Sequence, residues 1–445
     1  MNRILVILLV LAAAAITVAL PQRVAPVTPT APDDTSIEAQ EVASARSVAR
    51  CPWVRGDGFL EGEVAVGAPE AEEATFTVAA AGSVVGTSMQ SVAAFTAVPF
   101  LDLANIGTGS VFVEVDNEPA AVVAVGEGEA AVASAGCRSG ASKVWLLAGG
   151  STLDGETLQL RLFNPYPQDA RVEIRVVSEN DVEPETSLES LSVAAQSTAT
   201  FDLGSLLALR ETLALRISDP EGLIVPALVQ AGEVEDEEGN SRDVDIAAWT
   251  GVTAARRWEF PFAGVVGLDS SIAIFNDQTV PVSWSLDVVG EESSTSAAAS
   301  GILEPLTVVR LPLAGLAAAP SGVVVTAEEP IGAFLTASGP TERAATSGLR
   351  SAQKKWLVPG VSAMVGPSQV WVMNTGATPA TVTFNSARNG QLGQPDKILV
   401  PAGTIRVFSS SDDLVLESQE PVSVGWIRST GSAAAFTVAT PVSDG

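Results

Sequence analysis

Four short patterns in this chain carry residue types that could do chemistry. Ser351-Ala-Gln-Lys354 matches S-x-x-K, in which a lysine helps activate a nucleophilic serine. None of the four lysines (Lys143, Lys354, Lys355, Lys397) begins the K-T-G that accompanies that site, and the match falls in a joint between larger units. Asp34-Thr35-Ser36 offers one half of a carboxylate dyad without a second half. The run from Glu233 through Glu237 to Asp243 and Asp245 is the densest group of hard oxygen ligands and would suit calcium, but its spacing departs from the D-x-D-x-D-G loop. It reads first as a solvated hairpin. Arg55-Gly56-Asp57 is an integrin-type tripeptide, too short to identify anything.

Composition narrows the chemistry further. The 445 residues include no histidine, which removes the Ser-His-Asp and Cys-His nucleophiles, His-ligated zinc and proximal-His haem. With 24 basic against 52 acidic side chains the formal net charge is −28, opposed to binding a phosphate backbone, so no nucleic acid partner is expected. Hydrophobic residues reach 47% while charged residues are only 17%, so most of the chain can bury a core. No catalytic residue, metal ligand or cofactor site emerges, and the expected protein is not an enzyme.

The elements that organise these residues begin with an uncharged run, Ile4 to Leu20. At about 1.5 Å per residue it is slightly short for a ~30 Å hydrocarbon layer and long for a signal-peptide core, so residues 1–20 read either as a membrane anchor or as a cleaved signal peptide. In both cases the rest is exported, and residues 4–20 are the sole expected membrane contact. Residues 21–47 hold Pro21, Pro26, Pro29 and Pro32 among polar residues and read as a disordered stalk. Cys51 and Cys137 fit an oxidising exterior and are expected to pair, tying the start of the first folded segment to its end.

The body is a fourfold repeat. Trp53, Trp145, Trp258 and Trp356 open the copies, and in the last three an alternating strand ends in Asn164, Asn276 or Asn374, always 18 or 19 residues after the tryptophan. A second alternating strand follows, such as Val172, Ile174 and Val176 facing in against Arg171, Glu173 and Arg175 facing out. Each copy closes on a strand, a proline (Pro119, Pro220, Pro330, Pro421) and another strand, the proline sitting where the ladder breaks. Copy one has the tryptophan and the proline but no clear asparagine strand. The expected fold is all-β: tandem immunoglobulin-like β-sandwich modules over residues 48–140, 141–253, 254–350 and 351–445, each burying its tryptophan with the indole N–H on a backbone carbonyl. The alternative architecture is a propeller-like closed toroid.

The scarce cations Arg50, Lys143, Arg256-Arg257 and Lys354-Lys355 stand just before the module tryptophans. They read either as partners of the acidic flank of the preceding module or as a solvated linker.

Trp145-Leu-Leu-Ala-Gly-Gly-Ser-Thr-Leu-Asp-Gly155, together with the Leu-x-Leu-x-Leu-Phe-Asn164 strand and Pro165, resembles an uncharacterised group of exported actinobacterial proteins, a domain-of-unknown-function family. The resemblance covers most of the chain after about residue 50. It implies export and envelope association, and it assigns no catalytic residue. Copies three and four depart from the Gly-Gly-Ser-Thr pattern. The expected function is that of an extracytoplasmic, membrane-anchored or secreted scaffold that binds another exported protein. The alternative is a glycan-binding accessory of envelope polysaccharide metabolism, with Trp249 and Trp426 as sugar platforms.

Overall fold

Period-two alternation places every second side chain on one face of a strand, so each of these runs needs an opposing sheet to cover its apolar face. The structure is a computed structural model. It describes residues 46–442 apart from 57–59, 69–72, 81, 93–94, 117–119, 129–130, 185, 236–240, 340–341, 389–390 and 430–433. The N-terminal segment, residues 21–45 of the stalk, Asp57, Pro119 and the tip of the acidic loop therefore lie outside the described residues, while Arg46 and Ser47, read as the end of the stalk, already belong to the first strand. No described helix is long and apolar enough to cross a membrane.

The first module holds β1 (Arg46–Arg55), β2 (Glu61–Gly67), β3 (Glu73–Ala80), β4 (Ser83–Ser91), β5 (Phe95–Pro99), β6 (Thr108–Asp116), β7 (Ala121–Glu127) and β8 (Val132–Gly136). The second holds β9 (Val144–Gly150), β10 (Glu156–Asn164), β11 (Ala170–Ser178), β12 (Val182–Glu183), β13 (Leu191–Val193), β14 (Ser197–Asp202), β15 (Leu213–Ser218), β16 (Val225–Glu235) and β17 (Ser241–Thr250). The third holds β18 (Ala255–Gly264), β19 (Asp269–Asn276), β20 (Val282–Gly290), β21 (Ser294–Leu303), β22 (Thr307–Pro312), β23 (Ser321–Ser338) and β24 (Arg343–Ser347). The fourth holds β25 (Gln353–Val358), β26 (Ser368–Asn374), β27 (Ala380–Arg388), β28 (Gln391–Val400), β29 (Thr404–Ser410), β30 (Asp413–Ser429), β31 (Ala434–Val438) and β32 (Thr440–Pro441).

All four modules repeat one antiparallel topology. In module 1 the two sheets run β1-β6-β3-β4 and β5-β2-β7-β8, and in module 2 they run β9-β15-β11-β12 and β14-β10-β16-β17. The equivalents are β18-β23-β20-β21 with β22-β19-β23-β24, and β25-β30-β27-β28 with β29-β26-β30-β31. This is the two-layer antiparallel sandwich of immunoglobulin-like modules, here with its own strand order. β23 and β30 belong to both sheets of their modules. Ser321 to Ala327 pair with β18 and β20, and after Pro330 the chain crosses to pair with β19 and β24. Pro421 marks the same crossing in β30, and Pro220 lies between β15 and β16. A residue without an N–H disrupts least where the ladder must change partners.

The last strands of the modules bring the chain back on itself. β8 packs against β17 and β31, β17 against β24, and β24 against β31, so module 4 meets module 1. Residues 45–445 form one compact unit. Its apolar clusters cross module boundaries. Val229, Ala231, Ile246 and Ala248 of module 2 join the core of module 1. Ala65, Val123, Val125 and Val132 of module 1 join the core of module 4. Sandwich modules and cyclic closure therefore occur together. The modules are two-sheet sandwiches and not propeller blades, although their closing strands meet in a cycle.

Candidate functional site

The residues that repeat are absorbed by packing and hydrogen bonding. The indole N–H of Trp145 donates to the Ile224 carbonyl at 2.7 Å, that of Trp258 to Ile331 at 2.9 Å and that of Trp356 to Val422 at 2.9 Å. Each acceptor lies just beyond a sheet-crossing proline, so the tryptophan pins the crossing. Asn164, Asn276 and Asn374 are fully buried. Asn276 Nδ2 donates to the carbonyls of Val280, Leu303 and Glu304, while its Oδ1 accepts from the Gln278 N–H. Asn164 and Asn374 repeat the arrangement through Gln168 and Val193, and through Thr378 and Val400. One amide thus staples two turns at the same end of a module.

Module 1 has the equivalent strand, β2, without the amide. Gly67 pairs with Phe95 where the asparagines pair with Ser197, Thr307 or Thr404. A Cβ at Gly67 would come within 2.5 Å of the Phe95 ring, so the ring fills the place of the side chain.

All eight tryptophans are buried, the most exposed being Trp284 at 9%. Trp249 and Trp426, read above as sugar platforms, are 2% and 0% exposed and donate to the carbonyls of Ala148 and Pro359. Neither can offer a ring to a sugar. Of the cations at the module joints, Lys143 and Lys354 are exposed, and among the described residues no ion pair joins one of these cations to the acidic flank of the preceding module. Arg256 pairs with Glu329, Arg257 with Glu259 and Lys355 with Glu417, all inside their own modules. Arg50 is buried between modules, over the rings of Phe112 and Tyr166, and donates to Tyr166 Oη at 2.8 Å. The ion pairs that do cross modules were not singled out by position: Arg343 with Glu156 at 2.5 Å, Arg216 with Asp277 at 3.2 Å and Arg428 with Glu127 at 3.5 Å. Ser351 and Lys354 are exposed, and among the described residues Ser351 Oγ accepts from Gln353 and not from a lysine. Cys51 and Cys137 form a disulfide joining β1 to the residue after β8.

Two polar arrangements lie where the four closing strands meet. At their starts is Asp245, read from the sequence as part of a solvated acidic loop but fully buried in β17. Its carboxylate accepts backbone N–H bonds from Ile246 and Arg343, and the backbone N–H groups of Val132 and Ala434 also favour its charged form. One residue of each closing strand thereby acts on a single side chain. Burial pushes the Asp245 carboxyl up to about 8, against the opposing pull of those four N–H groups. Midway, Thr437 Oγ1 donates to Ser134 Oγ at 2.6 Å and Ser134 Oγ to the Phe436 carbonyl at 3.1 Å, sewing β31 to β8.

At the ends of the strands is a cavity of about 510 Å³ formed by residues of all four modules. Arg138 and Arg350 line it, and among the described residues no aspartate or glutamate does. Arg138 Nη2 donates to Ser347 Oγ at 2.7 Å and to the Thr250 carbonyl at 3.3 Å. Arg350 is exposed at the rim, over the Trp258 ring at 5.9 Å, with Nη2 donating to the Thr253 carbonyl. Burial, and then the like charge of Arg350, push the Arg138 guanidinium down to about 10. Both arginines sit in module joints. Their convergence is invisible in sequence because it requires the ring of modules to close.

Fold and site together define a closed array of β-sandwich modules around a polar axis. The chain belongs to a family of unknown function (DUF5719), whose model matches residues 107–340. No curated protein matches the chain. Similar solved structures include a mutant of the major pilin of Streptococcus pyogenes, 9% identical over 67% of this chain and 98% of the pilin, with a TM-score of 0.15. Another is the Streptomyces avermitilis α-L-rhamnosidase complexed with L-rhamnose, 10% identical over 70% of this chain and 44% of the enzyme, at 0.14. A calcium-binding mutant of Bacteroides uniformis β-glucuronidase 2 is 13% identical over 46% and 26%, at 0.11. At these scores the likenesses carry no inference about this chain.

Proposed function

We propose that this protein is an exported, non-enzymatic scaffold of the cell envelope that docks another exported protein along open sheet edges. The observation that carries this reading is the character of two edge strands. β4 and β21 end their sheets, expose most of their side chains and contain no charged residue and no proline. Among the described residues no strand pairs with their outer edges. Edges of monomeric proteins are usually blunted by lysine, proline or shortening, because unpaired N–H and C=O groups accept a foreign strand. β28, at the same place in module 4, has Pro395, Asp396 and Lys397, and module 2 has only the short β12 and β13 there. Met89 and Ile302, both 65% exposed, add apolar contact on the two unprotected edges.

The Cys51–Cys137 bridge supports an oxidising compartment. The burial of Trp249 and Trp426 removes the support on which a glycan-binding reading rested. The test is crosslinking in the native envelope followed by purification of the full-length chain. Recovery of one exported protein crosslinked to β4 or β21 is expected. Recovery of polysaccharide with no protein would overturn the proposal.

A further inference from the structure

We propose that the cavity at the ends of the four closing strands binds a small ligand bearing an oxyanion, with a carboxylate, phosphate or sulfate group held between Arg138 and Arg350. The volume of about 510 Å³ lies in the range of small-molecule pockets. Its charge is the inverse of the chain's average: acidic residues outnumber basic ones 52 to 24, yet among the described residues two arginines and no carboxylate face this space. Buried cations normally have an acidic partner, since taking a charge out of water is costly. Here the Arg138 guanidinium donates only to a hydroxyl and a carbonyl, and its buried Nε–H has no partner among the described residues. Instead of an acid, the nearby charge is a second guanidinium. A bound oxyanion would relieve that repulsion and accept charge-assisted hydrogen bonds from both arginines. Ser347 Oγ, which accepts from Arg138, keeps its own proton to donate. Ala141, Val438 and Pro441 supply apolar wall for the rest of an organic ligand. This inference is independent of edge docking, because the pocket and the edges use different strands.

The experiment is calorimetric titration and thermal shift of the full-length chain with inorganic phosphate, sulfate or citrate, each against sodium chloride at matched ionic strength. Saturable binding of at least one oxyanion is expected, with a midpoint rise that chloride does not reproduce. Preference for phosphate or sulfate would assign an inorganic or phosphoryl ligand, and preference for citrate an organic acid. Arg350→Gln should weaken that binding about tenfold or more, as loss of a charged hydrogen-bond partner does. Arg350→Lys should restore part of it, and Arg256→Gln, at an exposed arginine already paired with Glu329, should leave it unchanged. Because Arg350 is exposed, its replacement leaves folding intact, whereas Arg138 also holds strand ends together. Absence of any oxyanion effect beyond chloride, or an effect kept in full by Arg350→Gln, would overturn the proposal.

Discussion

Single side chains in this protein act as staples, and two of them make sharp predictions. Asn276→Ala removes the one NH₂ group that reaches the carbonyls of Val280, Leu303 and Glu304, so it should cost about 2–3 kcal/mol in urea unfolding. Asn385→Ala, whose single amide bond to Gly393 is exposed, should change stability by less than about 0.5 kcal/mol. Asp245 governs a pH response. Its folded value near 8 lies above the ordinary aspartate value, so between roughly pH 4 and 8 the native state holds a proton that the unfolded chain has released. That contribution is fully present below about pH 4 and is lost as pH rises through 8. The carboxyl of Asp413 is raised in the same direction, so only a comparison isolates Asp245. Melting temperature should fall from pH 5 to 8 more steeply in the native protein than in Asp245→Asn. The variant should also melt lower throughout, because an amide NH₂ would face backbone N–H donors. Equal slopes would refute the assignment.

Among the elements, strand identity was largely legible, whereas pairing partners came only from the sheet topology. Alternation at Val172, Ile174 and Val176 marks β11, and the asparagine endings mark β10, β19 and β26. The prolines mark the sheet crossings, because ladder geometry penalises proline elsewhere. β2 was missed because its signature is an amide, and Phe95 has replaced that amide with a ring packed over Gly67. The edges could be read only from the sheet order, since exposure on both faces follows from being last in a sheet. Ser296→Lys with Ser300→Lys on β21, combined with Thr87→Lys and Met89→Lys on β4, should leave unfolding within about 1 kcal/mol of the native protein while abolishing the crosslinked partner. Retention of the partner would place docking elsewhere.

For the body as a whole, shared cores and the cyclic packing of β8, β17, β24 and β31 predict cooperative unfolding. Scanning calorimetry of the oxidised chain should give one endotherm, with calorimetric and van 't Hoff enthalpies in agreement. Four separable transitions would mean that the modules are independent. Reducing Cys51–Cys137 lengthens the free chain at the start of the ring and should lower stability by about 2–4 kcal/mol.

Properties that depend on local spacing were available from the sequence alone: the repeat, the all-β class, the burial of the opening tryptophans and the pairing of the two cysteines. They are legible because strand periodicity and turn chemistry act over a few residues. The tertiary structure decided everything that depends on closure. It turned Asp245 from a loop carboxylate into the tie between four strand starts. It gave Arg256, Arg257 and Lys355 partners within their own modules and brought Arg138 and Arg350, more than two hundred residues apart, to one cavity. No local pattern encodes that meeting. It arises because apolar faces left uncovered by one module are covered by the next until the fourth reaches the first.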